Sequence, residues 1–83
     1  MVPEKRIDDL IRAGWHVLDS DFDEAAFRNW RREALKCLTV MLGSEHAYTQ
    51  YFKGYVHHPQ RAELLTGEGI LSAAKEEMTD SVD

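Results

Sequence analysis

The stretch from Phe22 to Val56 constrains the fold more than any other part of the chain. Its first half starts with Asp23, whose carboxylate can accept hydrogen bonds from the unpaired backbone N–H groups of a first helical turn. Phe22 and Phe27 flank Asp23 at the spacing of a hydrophobic staple, in which a side chain before the cap packs against one in the first turn. The stretch therefore predicts that a helix begins at Asp23.

Apolar side chains then recur at helical steps through both halves of this stretch. The first half carries Phe27, Trp30, Ala34, Cys37, Leu38 and Met41, and the second carries Tyr48, Tyr51, Phe52, Tyr55 and Val56. Both sets match the spacing of amphipathic helices. Gly43 is typical of a helix end, and Ser44 is predicted to cap the next helix. Two helices joined by so short a turn should pack antiparallel or steeply crossed.

The segments on either side of this stretch are also predicted to be helical. Pro3 to Leu18 has the pattern of an amphipathic helix, in which Gly14 could allow close approach of a neighbouring helix. Pro59 ends the third helix near His57, because a residue before proline is pushed out of the helical region.

After Pro59, two short helices are expected. The first is Gln60 to Thr66, and the second runs from Ile70 to about Glu77, with Gly67 and Gly69 breaking the chain between them. The prediction is an all-α fold, a small bundle of three main helices plus one or two short C-terminal helices. It forms a single domain over residues 1–78, followed by a frayed acidic tail at 79–83.

Composition sets limits on the class of protein. The chain has 83 residues, of which 43% are hydrophobic and 30% charged, and a net charge of −5. The acidity belongs to the C-terminal segment, since Arg61 to Asp83 holds 2 basic and 6 acidic residues. Bulk attraction to nucleic acid or anionic lipid is therefore not supported. The single cysteine and the absence of an apolar run as long as a membrane span predict a cytoplasmic protein that does not bind membranes.

No set of residues assembles a catalytic or metal-binding pattern. Cys37 lies on the apolar stripe of its helix, where burial disfavours the reactive thiolate. His57 and His58 are adjacent, so on a helix they point in different directions and cannot both face one ion. For His16 and His46, no carboxylate or cysteine in the sequence has a convincing metal-ligand spacing. We expect no enzyme activity, no cofactor and no bound metal.

A basic stripe on the second helix is a candidate interaction site. Arg28, Arg32 and Lys36 are four residues apart, and Arg31 lies beside them. The stripe is either a solvated face with weak ion pairs or a docking face for an acidic partner or for phosphate. The acidic C-terminal segment could also cover it within the same chain.

Three tyrosines on the third helix form a second candidate site. Tyr48, Tyr51 and Tyr55 share their helical spacing with Phe52, which favours packing into the core, while their hydroxyl groups indicate a partly wet edge. Aromatic side chains in such a row could stack on nucleic-acid bases or form a protein interface.

One pattern resembles a known kind of module. It comprises Phe27, Trp30, Arg31, Ala34 and Leu38, followed by Leu42, Gly43, His46, Tyr48 and Phe52. Over about Ile7 to Val56 it is similar to a small helical module of uncharacterised bacterial proteins, which often accompanies TIR-like nucleotide-binding or other defence-associated domains. The resemblance implies an accessory or assembly element, with any chemistry in the accompanying domain.

Together these observations predict a non-catalytic protein–protein interaction module that associates with itself, most simply as a homodimer, or with another protein. Two alternatives remain open. One is nucleic-acid or phosphate binding through the basic stripe. The other is a small acidic inhibitor that occupies a partner's basic surface with its C-terminal acids.

Overall fold

Four helices account for most of the chain. The computed structural model describes residues 3–19 and 22–80, and describes side chains for residues 6–19 and 22–77. The helices are α1 (Pro3–Asp19), α2 (Glu24–Leu42), α3 (Ala47–Tyr55) and α4 (Arg61–Asp80). The described residues contain no β-strand, which confirms the predicted all-α class.

The predicted boundaries of α2 are confirmed by its caps. The Asp23 carboxylate accepts a hydrogen bond of 2.9 Å from the Ala25 N–H. The Phe22 and Phe27 rings lie 5.6 Å apart, as a hydrophobic staple requires. Gly43 ends the helix with a φ of 94°, a conformation that residues with a Cβ rarely adopt.

The predicted cap of α3 was wrong. Ser44 and Glu45 lie in the turn that follows α2, and the cap is His46, whose Nδ1 accepts a hydrogen bond of 3.1 Å from the Tyr48 N–H. The chain needs these turn residues to reverse direction before α3 can begin. The helix is consequently only 9 residues long.

The two short C-terminal helices predicted from the glycines are in fact one helix of 20 residues, α4, which runs through Gly67 and Gly69. Each glycine costs about 1 kcal/mol of helix propensity relative to alanine. Burial of Leu64, Leu71 and Ala74 on the inner face of α4 offsets that cost. Of the predicted tail, residues 81–83 lie outside the described part of the chain.

The helices form an up-and-down bundle in which α1 and α3 each lie between α2 and α4. On one side of α1, Arg6 contacts Glu33 of α2, and on the other side Asp8 contacts Lys75 of α4. Further along α1 the contacts move toward the start of each neighbour, because Leu10 accepts from Trp30 of α2 and Leu18 accepts from Arg61 of α4. The helix α1 therefore runs antiparallel to both helices. The short helix α3 closes the bundle, with His46 near its start contacting Glu77 near the end of α4.

Trp30 lies at the centre of the core. Its ring centroid is 6.1 Å from that of Phe27 and 5.7 Å from that of Phe52, and its Nε1–H donates to the Leu10 carbonyl at 2.7 Å. This residue therefore connects α1, α2 and α3. Around it are the other buried apolar residues: Ile7, Leu10, Val17, Ala34, Cys37, Leu38, Val56, Leu64, Leu71 and Ala74.

Candidate association surface and a buried carboxyl group

The structure leaves three residues of the predicted basic stripe exposed in one row on α2 and turns the fourth away from it. Arg31 is partly buried, and its Nε donates to the Val56 carbonyl, so this residue fastens the end of α3 to α2. Arg28 pairs with Glu24 at 3.3 Å on the exposed surface. The other two members of the stripe are exposed on the outer side of α2: Arg32 and Lys36. The stripe therefore keeps its predicted spacing from Arg28 to Lys36 but lacks the charge of Arg31.

The tyrosine row lies at the edge of the bundle. Tyr51 and Tyr55 are 50% and 62% exposed, and their ring centroids are 6.1 Å apart. Tyr48 is partly buried, with its ring 5.1 Å from that of His46. From α3, the side chains that reach the core are those of Thr49 and Phe52. Two of the three tyrosines are thus available to a partner.

The outward side of α4 has an unusual surface for this highly charged chain. Between Glu63 and Lys75 the one charged residue of α4 is Glu68, which is buried. The remaining outward positions are small or uncharged: Leu65, Thr66, Gly69, Ile70, Ser72 and Ala73. We call these six residues the α4 face.

Large exposed side chains border the α4 face on both sides. On the α1 side, the contacts of Asp8 with Lys75 and of Gly14 with Glu68 set a register that places Trp15 across from Leu65. Trp15 and Leu65 are each 48% exposed.

On the α3 side, Phe52 packs against Gly67, and helix geometry then turns Tyr51 and Tyr55 outward beside the α4 face. The result is a shallow surface with a small-residue centre and aromatic rims.

At Gly69 the backbone of α4 is exposed in the middle of the α4 face. A Cβ added at Gly69 would meet nothing within 4 Å, so this part of α4 is open to solvent. Another helix could approach there without displacing any atom. In contrast, Val40 has the most exposed large apolar side chain among the described residues, at 80%, and it lies on the outer side of α2, away from these rims.

Glu68 was not anticipated from the sequence. It is 3% exposed, and both of its carboxyl oxygens are buried without a hydrogen-bond partner. Burial raises the pKa of the Glu68 carboxyl to about 8. In the sequence it is one of the six acidic residues of the C-terminal segment, and none of the predicted elements gave it a buried position. Its spacing of seven residues from both Arg61 and Lys75 places it on the α1 side of α4 only once the contacts of those two residues with α1 are known.

The remaining reactive side chains have structural contacts. Cys37 is buried, as predicted, and burial raises the pKa of its thiol. The Glu63 carboxylate accepts hydrogen bonds from the backbone N–H groups of His57 and His58, at 2.6 and 2.8 Å. In the part of the chain that the structure describes, no three His, Cys, Asp or Glu side chains are grouped so that they could hold a metal ion.

None of the described helices is long and apolar enough to cross a membrane. No protein family, curated protein or solved structure matches the chain. The resemblance to a helical module of defence-associated proteins therefore stays a prediction.

Proposed function

We propose that this chain is a non-catalytic helical association module that pairs with a second copy of itself through the α4 face. The observation that carries the proposal is the three-turn surface of α4 that is free of exposed charge, although 30% of the residues are charged. Exposed aromatic rims on both sides of that surface, Trp15 and the Tyr51–Tyr55 pair, supply the side chains that dominate binding energy at protein interfaces.

A second copy suits this surface because a two-fold contact brings the same patch together from both subunits. A face that carries one sign of charge would repel itself, whereas the α4 face has no exposed charge at its centre. The small side chains around Gly69 let two helices approach closely, and the large rims then pack beside the facing helix. The resemblance to an accessory module of multidomain proteins agrees with an assembly role.

The test is the molar mass in solution across a concentration series, measured by light scattering behind a sizing column. We expect a mass that rises from 9.6 kDa toward twice that value. Gly69→Glu should hold the chain at the monomer mass, because it places like charges against each other. Glutamate also forms helices better than glycine, so this variant should keep its fold.

Val40→Glu is the matched control, since it adds the same charge at a more exposed apolar position outside the α4 face. It should associate like the unmodified chain. A monomer at every concentration, or equal weakening by Val40→Glu and Gly69→Glu, would contradict the proposal.

Nucleic-acid or phosphate binding through the outer side of α2 is the second candidate. The observation in its favour is that Arg32 and Lys36 are exposed one turn apart, with Arg28 one turn before them. It predicts binding that weakens as salt increases. Charge reversal at Arg32 and Lys36 should abolish a mobility shift with DNA or RNA at low salt, and no shift for the unmodified chain would remove this candidate.

The acidic-inhibitor alternative has fewer acids available than the sequence indicated. Of the six acidic residues after residue 60, Glu63 binds backbone N–H groups and Glu68 is buried. Exposed carboxylates remain at Glu76 and Glu77. Binding of a basic protein that is lost in Glu76→Lys would support this alternative.

A further inference from the structure

Three residues of α4, spaced seven apart, lie along its border with α1. At one end, the Arg61 side chain donates to the Leu18 carbonyl at 3.2 Å, and at the other end Lys75 pairs with Asp8 at 2.5 Å. The middle residue is Glu68, whose carboxyl group has no hydrogen-bond partner. The border is therefore fastened by polar contacts at both ends and filled by an unpaired acid at its centre.

Gly14 of α1 provides the space that the Glu68 side chain occupies. A Cβ at residue 14 would lie 2.7 Å from Glu68 Cδ and 3.1 Å from Trp30 Cε2. The first distance is below 3.0 Å, which is shorter than Cβ atoms in protein structures approach other heavy atoms. The backbone of α1 thus packs directly over the carboxyl group, and water has no access to it while the two helices are in contact.

Charged groups on α1 and α4 do not compensate for this burial. Arg61 and Lys75 each lie about 10 Å along the helix from Glu68, and both have contacts of their own. On α1, Asp8 is paired with Lys75, and Arg12 and His16 are exposed on the outward side.

The groups that α2 and α3 turn toward Glu68 are apolar or already hydrogen-bonded. On α2, the Trp30 Nε1–H is committed to the Leu10 carbonyl. The charged neighbours of Trp30 have other partners, because Arg31 donates to the Val56 carbonyl and Glu33 pairs with Arg6. From α3, Phe52 packs against the adjacent Gly67, and Lys53 is exposed.

We propose that Glu68, packed against Gly14, is a proton-operated lock between α1 and α4. With its proton, the side chain is a neutral group that the border accommodates. Once the proton leaves, a full negative charge is enclosed with no cation or donor, and such a charge is much more costly to bury than the neutral acid. The charge is relieved when α1 moves away from α4 and water reaches the carboxylate.

This inference does not depend on the proposed self-association, because it concerns a contact within one chain. Its test is urea unfolding of the chain and of Glu68→Gln, followed by circular dichroism at a series of pH values from 5 to 8.5. The midpoint of unfolding should fall steadily with rising pH in the unmodified chain and change much less in Glu68→Gln. Glu76→Gln removes an exposed acid from the same helix and should follow the unmodified chain.

Hydrogen exchange separates the lock from a general loss of stability. After correction for intrinsic exchange rates, amides of α1 should exchange faster at pH 8 than at pH 5 by a larger factor than those of α2, and Glu68→Gln should remove this difference. Parallel pH profiles for the unmodified chain and Glu68→Gln would overturn the proposal.

If Glu68→Gln does not fold, a direct titration of the unmodified chain shows whether Glu68 keeps its proton. The ¹³C resonance of the Glu68 carboxyl in the unmodified chain should titrate well above the range of the exposed glutamates. Titration near 4.5, the ordinary pKa of a glutamate carboxyl, would overturn the lock.

Discussion

The carboxyl group of Glu68 occupies the space that Gly14 leaves on the facing helix. The two residues are so close that a Cβ at residue 14 would lie 2.7 Å from Glu68 Cδ. A residue without a side chain on α1 is thus matched by a long one on α4. The two positions define how closely the helices approach, so the effect of a substitution at one on the free energy of unfolding should depend on the residue at the other.

A double-mutant cycle measures this coupling. Gly14→Ala should lower the free energy of unfolding by about 1–3 kcal/mol because it overpacks the border, even though alanine gains about 1 kcal/mol of helix propensity. With Glu68→Ala already present, Gly14→Ala should become neutral or stabilising, because the clash is gone. Additive effects in urea unfolding at pH 5 would show that the two side-chain positions do not compete for space.

The pH dependence of stability should have two limbs with opposite causes. The pKa of Glu68 is raised in the folded chain, so its contribution is complete below the ordinary value of 4.5 and is lost as pH rises toward about 8. The slope between these values is at most about 1.4 kcal/mol per pH unit. Hydrogen bonds from the backbone N–H groups of His58 and His57 lower the pKa of Glu63, so its contribution is present above 4.5 and is lost on acidification.

Glu63→Gln tests the acid limb. The amide oxygen can still accept the two backbone hydrogen bonds, but the charge is gone, so stability should fall less than in the unmodified chain as pH drops below 4.5. Urea unfolding from pH 2.5 to 8.5 measures both limbs. The alkaline limb should survive in Glu63→Gln, and an unchanged acid limb would show that Glu63 does not cause it.

Local signals in the sequence were sufficient for α2 but not for α4. The cap at Asp23, the staple of Phe22 and Phe27, and the glycine at position 43 all act within a few residues of each other, and the structure confirms each of them. For α4, the local signal was misleading, because two glycines indicate a break. What keeps α4 continuous is burial against the other helices, which local propensity does not report.

For the candidate sites, too, the spacing of residues was predictable from the sequence, whereas their packing against other helices was not. The basic stripe was correct as a spacing pattern, but the pattern could not reveal that Arg31 lies on the side of α2 that meets α3, where the Val56 carbonyl takes its hydrogen bond. The partly wet edge predicted for the tyrosines agrees with the exposure of Tyr51 and Tyr55. The α4 face and the burial of Glu68 required the register of α1 against α4, which no residue pattern within one helix specifies.

The two tryptophans should respond very differently to the same substitution. Trp30→Phe keeps an aromatic ring in the core but loses the hydrogen bond to the Leu10 carbonyl and leaves that acceptor buried. We expect a loss of about 1–3 kcal/mol in the free energy of unfolding. Trp15→Phe, at a position 48% exposed, should change it by less than about 0.5 kcal/mol. Similar losses for both variants in urea unfolding would contradict the central position of Trp30.

Gly67 and Gly69 give the sharpest matched comparison, because they lie two residues apart on α4 and face opposite ways. A Cβ at Gly67 would lie 2.8 Å from Trp30 Cη2 and 3.0 Å from Phe52 Cε2, both in rings held by the core. Gly67→Ala should therefore destabilise the fold by about 1–3 kcal/mol. At Gly69 a Cβ meets nothing, so Gly69→Ala should stabilise the monomer by up to about 1 kcal/mol through helix propensity alone.

Thermal and urea unfolding at low protein concentration measure both changes. If α4 were broken at these glycines, as the sequence alone indicates, neither alanine would produce its expected effect, and equal shifts of the same sign would contradict a continuous α4 packed on Trp30.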